Sequence, residues 1–163
     1  MSNIILIGMP GAGKSTIGVL LAKSMGYNFL DTDLIIQSQQ KKKLQQIIDE
    51  EGIDAFLKCE ERALLSIDFD CTVVATGGSA IFSEKGMEHL KKEGVCVYLK
   101  VDEQELIKRL SNIKTRGIAC RKGETVAEII EERRAYYEKY ADVTINCEGA
   151  TAEQMVERII ESI

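Results

Sequence analysis

Residues 8–15 read Gly8-Met9-Pro10-Gly11-Ala12-Gly13-Lys14-Ser15, a complete phosphate-binding loop pattern between the apolar run 4–7 and an amphipathic helix pattern. No other feature constrains the fold as tightly. A strand must deliver the loop at its carboxyl end and a helix must begin at once, which is how open parallel α/β sheets are built. The glycines let the backbone curl, so that successive N–H groups and the helix N-terminus face a polyphosphate. Lys14 adds a mobile positive charge and Ser15 an oxygen for magnesium, and Gly11, Ala12, Gly13, Lys14, Ser15 and Thr16 become the expected nucleotide contacts. A chance match in a glycine-containing turn would supply neither the preceding strand nor the following helix.

Further strand-length apolar runs recur at residues 27–30, 72–75, 95–99 and 143–145, separated by segments of helical period. That alternation predicts a three-layer α/β domain with a five-stranded parallel sheet. Ile17, Leu20, Leu21 and Met25 mark one buried helix face, Val126, Ile129, Ile130 and Tyr137 another, and Met155, Ile159 and Ile160 a closing helix. At 163 residues, without repeat or composition break, one domain spanning 1–163 accounts for the chain. Two stretches exceed plain alternation. Residues 34–66 hold enough pattern for two or three helices, an insertion placed to cover a second substrate. Residues 110–125 carry Lys114, Arg116, Arg121 and Lys122 with Gly117 and Gly123, the composition of a basic lid loop.

A formal net charge of -5 gives no general attraction to nucleic acid or anionic membranes. Lys41-Lys42-Lys43 reads as a solvated loop or helix end. The five cysteines form no CxxC pair and, with one histidine, no standard zinc cluster, so reduced thiols are expected. The chain enters its first strand directly, with neither a signal-like segment nor a long apolar span, and a soluble, cytoplasmic protein is expected.

Asp31-Thr32-Asp33 follows the second strand run, where α/β sheets bind ligands. Asp31 suits a counter-ligand to magnesium near Ser15, and Asp33 suits a base for a phosphoryl acceptor hydroxyl; capping of a helix by the same aspartates is compatible with both. Gly77-Gly78-Ser79 follows the third run, either as a tight turn or as a place for close ligand approach. Arg133 and Arg134, beside Glu131 and Glu132, read on their own as surface ion pairs, as do Lys139 and Asp142.

In this order, the phosphate loop, Asp-Thr-Asp, glycine pair and arginine-bearing helix followed by tyrosine resemble the shikimate kinase family over nearly the whole chain. The resemblance implies the P-loop kinase fold and transfer of the γ-phosphoryl of ATP, with Mg2+, to the 3-hydroxyl of shikimate, a step of aromatic amino acid biosynthesis. It implies Lys14 on the β- and γ-phosphates, Ser15 and Asp31 at the metal, Asp33 at the acceptor hydroxyl and Arg116 closing over the transferring group. Arg109 would lie against adenine, while Arg133, Gly77 and Gly78 would contact the acceptor. A monomer with no partner beyond ATP and a small hydroxylated acceptor is expected.

Departures from the family pattern cluster on the acceptor side. Gly-Glu-x-x-Phe-Arg-x-x-Glu appears here as residues 52–60 with Leu57 at the arginine and Glu60 at the end. Lys58 is rotated by about 100° and cannot simply substitute. Charge-assisted bonds to a carboxylate are worth roughly 1.5 to 3 kcal/mol each, so losing the fork should weaken an acidic acceptor by about a decade or more. Ser79 replaces a third glycine, Ile48 a frequent phenylalanine, and Arg116 is followed by Gly117-Ile118-Ala119 rather than Pro-Leu-Leu. Around Arg133, Arg-Arg-Ala-Tyr-Tyr replaces the family's Pro-Leu-Tyr pattern. Three readings remain at this point: a shikimate kinase, the same chemistry on another hydroxylated small molecule, or a nucleotide-binding regulator without phosphotransfer. Retention of Asp33 and Arg116 weighs against the last.

Overall fold

A computed structural model describes residues 2–110, 118–120 and 123–163. In chain order the elements are β1 (Asn3–Ile7), α1 (Lys14–Met25), β2 (Asn28–Asp31), α2 (Thr32–Gln40), α3 (Leu44–Glu51), α4 (Ile53–Leu65), β3 (Thr72–Ala75) and a 3-10 turn (Ala80–Phe82). Then come α5 (Glu84–Lys91), β4 (Gly94–Lys100), α6 (Glu103–Arg109), α7 (Val126–Tyr140), β5 (Val143–Asn146) and α8 (Ala152–Ser162).

The strands form one parallel sheet in the order β2-β3-β1-β4-β5. Every residue of β1 is buried, because helices cover both faces of this central strand. Ile5 and Ile7 pack with Leu64, Met87, Leu90, Ile129 and Tyr137 on one face. Ile4 and Leu6 pack with Ile17, Leu21, Met155, Val156 and Ile159 on the other. Alternation along one strand thus separates two core layers. The sequence reading of the first core face is borne out; that of the last helix shifts by a few residues. Val156 is buried and Ile160 is 40% exposed, since each residue turns the helix by about 100° and carries 160 past the stripe of 155, 156 and 159.

Strand order reverses at β1, whose neighbours are β3 and β4, so the crevice beyond its carboxyl end is the ligand position of such sheets. The predicted insertion is α2, α3 and α4, held by a third cluster of Ile36, Leu44, Ile47, Phe56, Cys59 and Ala63. Ala119 joins that cluster while Ile118 joins the core under α7, which ties the end of the expected lid segment to both bodies. Lys41 caps α2 in the left-handed region, and Lys42 pairs with Glu50 at 2.8 Å.

Candidate active site

The loop after β1 ends in Gly13, whose φ of 93° favours a residue without Cβ, and α1 starts at Lys14 with no side-chain cap on its first N–H groups. These donors are left for an anion. Lys14 is buried and its Nζ donates to the carbonyl oxygens of Gly8 (2.7 Å) and Met9 (2.8 Å), leaving one of its three N–H donors. Burial lowers its pKa to about 8, against the pull of Asp33 in the other direction.

Asp31 caps α2 and also lies beside Ser15. Oδ1 accepts from the backbone N–H of Asp33 and caps α2, and Oδ2 accepts from Ser15 Oγ at 2.7 Å. A hydroxyl and a carboxylate side by side are the oxygen donors that a hard divalent cation takes, with phosphate and water completing its shell, so the pair fits Mg2+. Arg109 lies on the outer side of the loop, where Nη1 donates to Gly11 O at 2.9 Å and Nε pairs with Glu105.

Opposite the loop, β3 runs into Gly77 and Gly78. The Gly77 N–H donates to Thr32 Oγ1, and Gly78 O accepts from the buried Tyr137 hydroxyl at 2.6 Å, which pins the turn to α2 and α7. A Cβ on Gly77 would lie 2.5 Å from Glu60 Oε2 and 2.8 Å from Asp33 Oδ1; one on Gly78 would meet the Pro10 ring at 2.5 Å. Both glycines therefore serve close approach. The pocket so formed, about 280 Å³, is lined by the phosphate loop, Asp33, Phe56, Glu60, residues 76–79, Ile118, Ala119 and Arg133.

Four charged side chains converge there. Burial, reinforced by Asp31 and opposed by Lys14, raises the Asp33 pKa to about 6. Burial raises Glu60 to about 7; Asp33 pushes the same way, while its Ser79 bond, Arg133 and Lys14 oppose. Arg133 is 2% exposed and donates from Nη2 to Ala119 O at 2.5 Å. Glu60 Oε2 and Arg133 Nε are buried with no hydrogen-bond partner among the described residues.

The residue-by-residue reading of the arginine pair as surface ion pairs is corrected for Arg133, which α7 turns inward against the Phe82 ring at 5.4 Å. Arg134, one step round the helix, makes the expected pairs with Glu103 (3.6 Å) and Glu131 (3.2 Å). Asp142 pairs with Lys91, and Lys139 lies over the Tyr140 ring instead. Lys14, Ser15, Asp31, Asp33, Gly77, Gly78 and Arg133 thus gather around one crevice, with Arg109 at its rim. Arg116, with Lys114, Gly117, Arg121 and Lys122, lies outside the described residues. Glu60 and Tyr137 were assigned no chemistry from sequence. The signal for Glu60 was a carboxylate set into the otherwise apolar stripe of Phe56, Cys59, Ala63 and Leu64 on α4.

The family model for shikimate kinase matches residues 10–163. The chain belongs to the shikimate kinase family. Shikimate kinase of Thermodesulfovibrio yellowstonii is 34% identical across 99% of this chain and 94% of its own length. Threonine synthase-like 1 of Pongo abelii is also 34% identical over 99% of the chain, but the chain spans only 22% of that protein. Among solved structures, shikimate kinase from Acinetobacter baumannii in complex with shikimate superposes with a TM-score of 0.91 at 29% identity, covering 99% of this chain and 92% of that one. The shikimate kinase fold is thus the fold of this chain.

Proposed function

We propose that this shikimate kinase family member transfers the γ-phosphoryl of ATP to the 3-hydroxyl of shikimate, using the pocket between the phosphate loop and Gly77-Gly78. The observation that carries the reading is the convergence of Lys14, Asp33 and Arg133 on that pocket. The amides of Gly11 and Gly13 and the first turn of α1 with Thr16 bind the polyphosphate, around a turn that the Ala12 N–H closes on Met9 O at 3.0 Å, and Lys14 neutralises charge at its β- and γ-oxygens. Arg109 flanks the base. Ser15 and Asp31 would hold Mg2+, which when bound neutralises phosphate charge.

Asp33 accepts the proton of the acceptor hydroxyl. Its raised pKa makes it a better base than an ordinary carboxylate while leaving it largely ionised at neutral pH. Arg133, anchored on Ala119 O, retains an unpartnered Nε for the acceptor carboxylate. Arg116 closes over the site from the 110–125 lid, and the helices within 34–66 cover the acceptor. The working state is a cytoplasmic monomer. Among the described residues no helix is long and apolar enough to cross a membrane.

Replacing Asp33 with Asn tests the assignment. Turnover should fall by about 10²- to 10⁴-fold, the usual contribution of a positioned base, with ATP affinity retained. Near-wild-type turnover would remove Asp33 from the mechanism.

A further inference from the structure

Leu57 and Ser79, two departures from the family pattern, meet at one carboxylate. Glu60 lies on α4, 1% exposed, and its Oε1 accepts from Ser79 Oγ at 2.6 Å in a wholly buried contact. Leu57 stands one turn earlier on the same helix, the i to i+3 spacing from which a cationic neighbour could neutralise Glu60. It is apolar, packs against the cluster of Ile36, Ile47 and Phe56, and lines a small cavity with Glu60, Ser79 and Phe82, to which it brings no charge. Ser79 is thus the hydrogen-bond donor to Glu60 among the described residues. The other oxygen, Oε2, lies above Gly77 on the side of Asp33 and is unpartnered there.

A buried carboxylate oxygen without a donor costs about 1 to 3 kcal/mol or more, so the arrangement calls for a donor that arrives with the ligand. Oε2 belongs to the wall of the pocket already assigned to the acceptor. Accepting the reading that this pocket binds the phosphoryl acceptor, we propose that Ser79 is a positioning residue: by holding Glu60 through Oε1 it presents Oε2 to a hydroxyl of the bound acceptor. The lost cation at position 57 is thereby offset from position 79. Arg133 then anchors the acid end of the acceptor, and Glu60 with Asp33 reads its hydroxyl face.

Burial is the largest influence on the charge of Glu60 and opposes ionisation, and groups on three other helices and Ser79 add to or offset it. Asp33 on α2 disfavours ionisation, whereas Lys14 on α1, Arg133 on α7 and the Ser79 hydroxyl favour it. Removing the Ser79 donor therefore moves Glu60 toward its neutral form, which cannot accept through a protonated Oε2.

The test compares wild type, S79A, S79G and S79G/L57R. S79A should raise the KM for shikimate by about tenfold or more, the loss expected of a hydrogen bond to a charged group, while the KM for ATP stays within about twofold. The acid limb of kcat/KM for shikimate should move to higher pH in S79A, a change that a purely structural serine would not produce. Adding L57R to S79G should recover most of the lost affinity by supplying a cation at i-3. Unchanged shikimate KM and an unchanged acid limb in S79A would overturn the proposal, as would failure of L57R to restore affinity in the S79G background.

Carbon NMR of the glutamate carboxyls in the ligand-free protein separates this outcome from failure of the substrate reading. If wild type does not use shikimate, the substrate reading fails, and the Glu60 titration still decides the Ser79 role. It should move upward in S79A, and a titration unmoved by S79A would overturn that role.

Discussion

Replacing Glu60 with Gln should stabilise the protein at alkaline pH and have little effect in acid. Glu60 begins from an ordinary value of 4.5 and is raised to about 7, first by burial and then by Asp33. Below about pH 4.5 both folded and unfolded chains carry the proton, and the group contributes no pH-dependent difference. Between 4.5 and 7 the native state keeps a proton that the unfolded chain has released. Stability therefore falls as pH rises through this window, and above it the full penalty of a buried charge is present. At about 1.4 kcal/mol per pH unit, the shift corresponds to about 3 kcal/mol.

Gln keeps the length of Glu and an oxygen for the Ser79 hydroxyl, but it cannot ionise. Urea denaturation of wild type and E60Q at pH 5 and pH 8 isolates the effect, because the other titrating groups are common to both chains. With a urea slope of roughly 2 kcal/mol per molar, the midpoint of E60Q should exceed that of wild type at pH 8 by about 1 to 1.5 M more than it does at pH 5. A midpoint difference independent of pH, or one favouring wild type at pH 8, would refute the argument. It would mean that Glu60 is ionised and fully compensated in the native protein.

Two further substitutions probe the site. D31N preserves an oxygen acceptor for the Asp33 N–H, so stability should stay within about 0.5 kcal/mol of wild type. Loss of the charge beside Ser15 should raise the Mg2+ concentration needed for half-maximal ADP release, and an unchanged Mg2+ requirement would remove Asp31 from the metal site. L57R restores the arginine of the family pattern at this position and should lower the KM for shikimate by about a decade, as expected of a charge-assisted bond. No change in that KM would show that the position no longer faces the acceptor.

The donor half of the site was legible because its chemistry is local. Eight consecutive residues specify the phosphate loop, and Asp31 follows directly on a strand end, which in a parallel sheet lies on the same side as the loop and brings it beside Ser15. The sheet was legible for a similar reason: strands covered on both faces read as continuous apolar runs, and β1 is buried throughout.

Arg133 was different. Its neighbours on α7 are acidic, and local reasoning pairs it with them; the resemblance, rather than helix chemistry, assigned it to the acceptor. The surroundings that bury Arg133 include Phe82 and Ala119, distant in sequence. Glu60 and Ser79 were harder still, since 19 residues separate them and neither alone predicts the bond between them. Leu57 and Ser79 looked like independent signs of an altered pocket, and the fold joins them through one carboxylate.

The most direct measurement is coupled ADP release with ATP, Mg2+ and shikimate, with the product followed by phosphorus and proton NMR. ADP should form in proportion to shikimate consumed, the new phosphate should lie on the 3-hydroxyl, and omission of either Mg2+ or shikimate should reduce the rate to background. ADP release no faster with saturating shikimate than without it, from a protein that binds ATP, would contradict the proposed function.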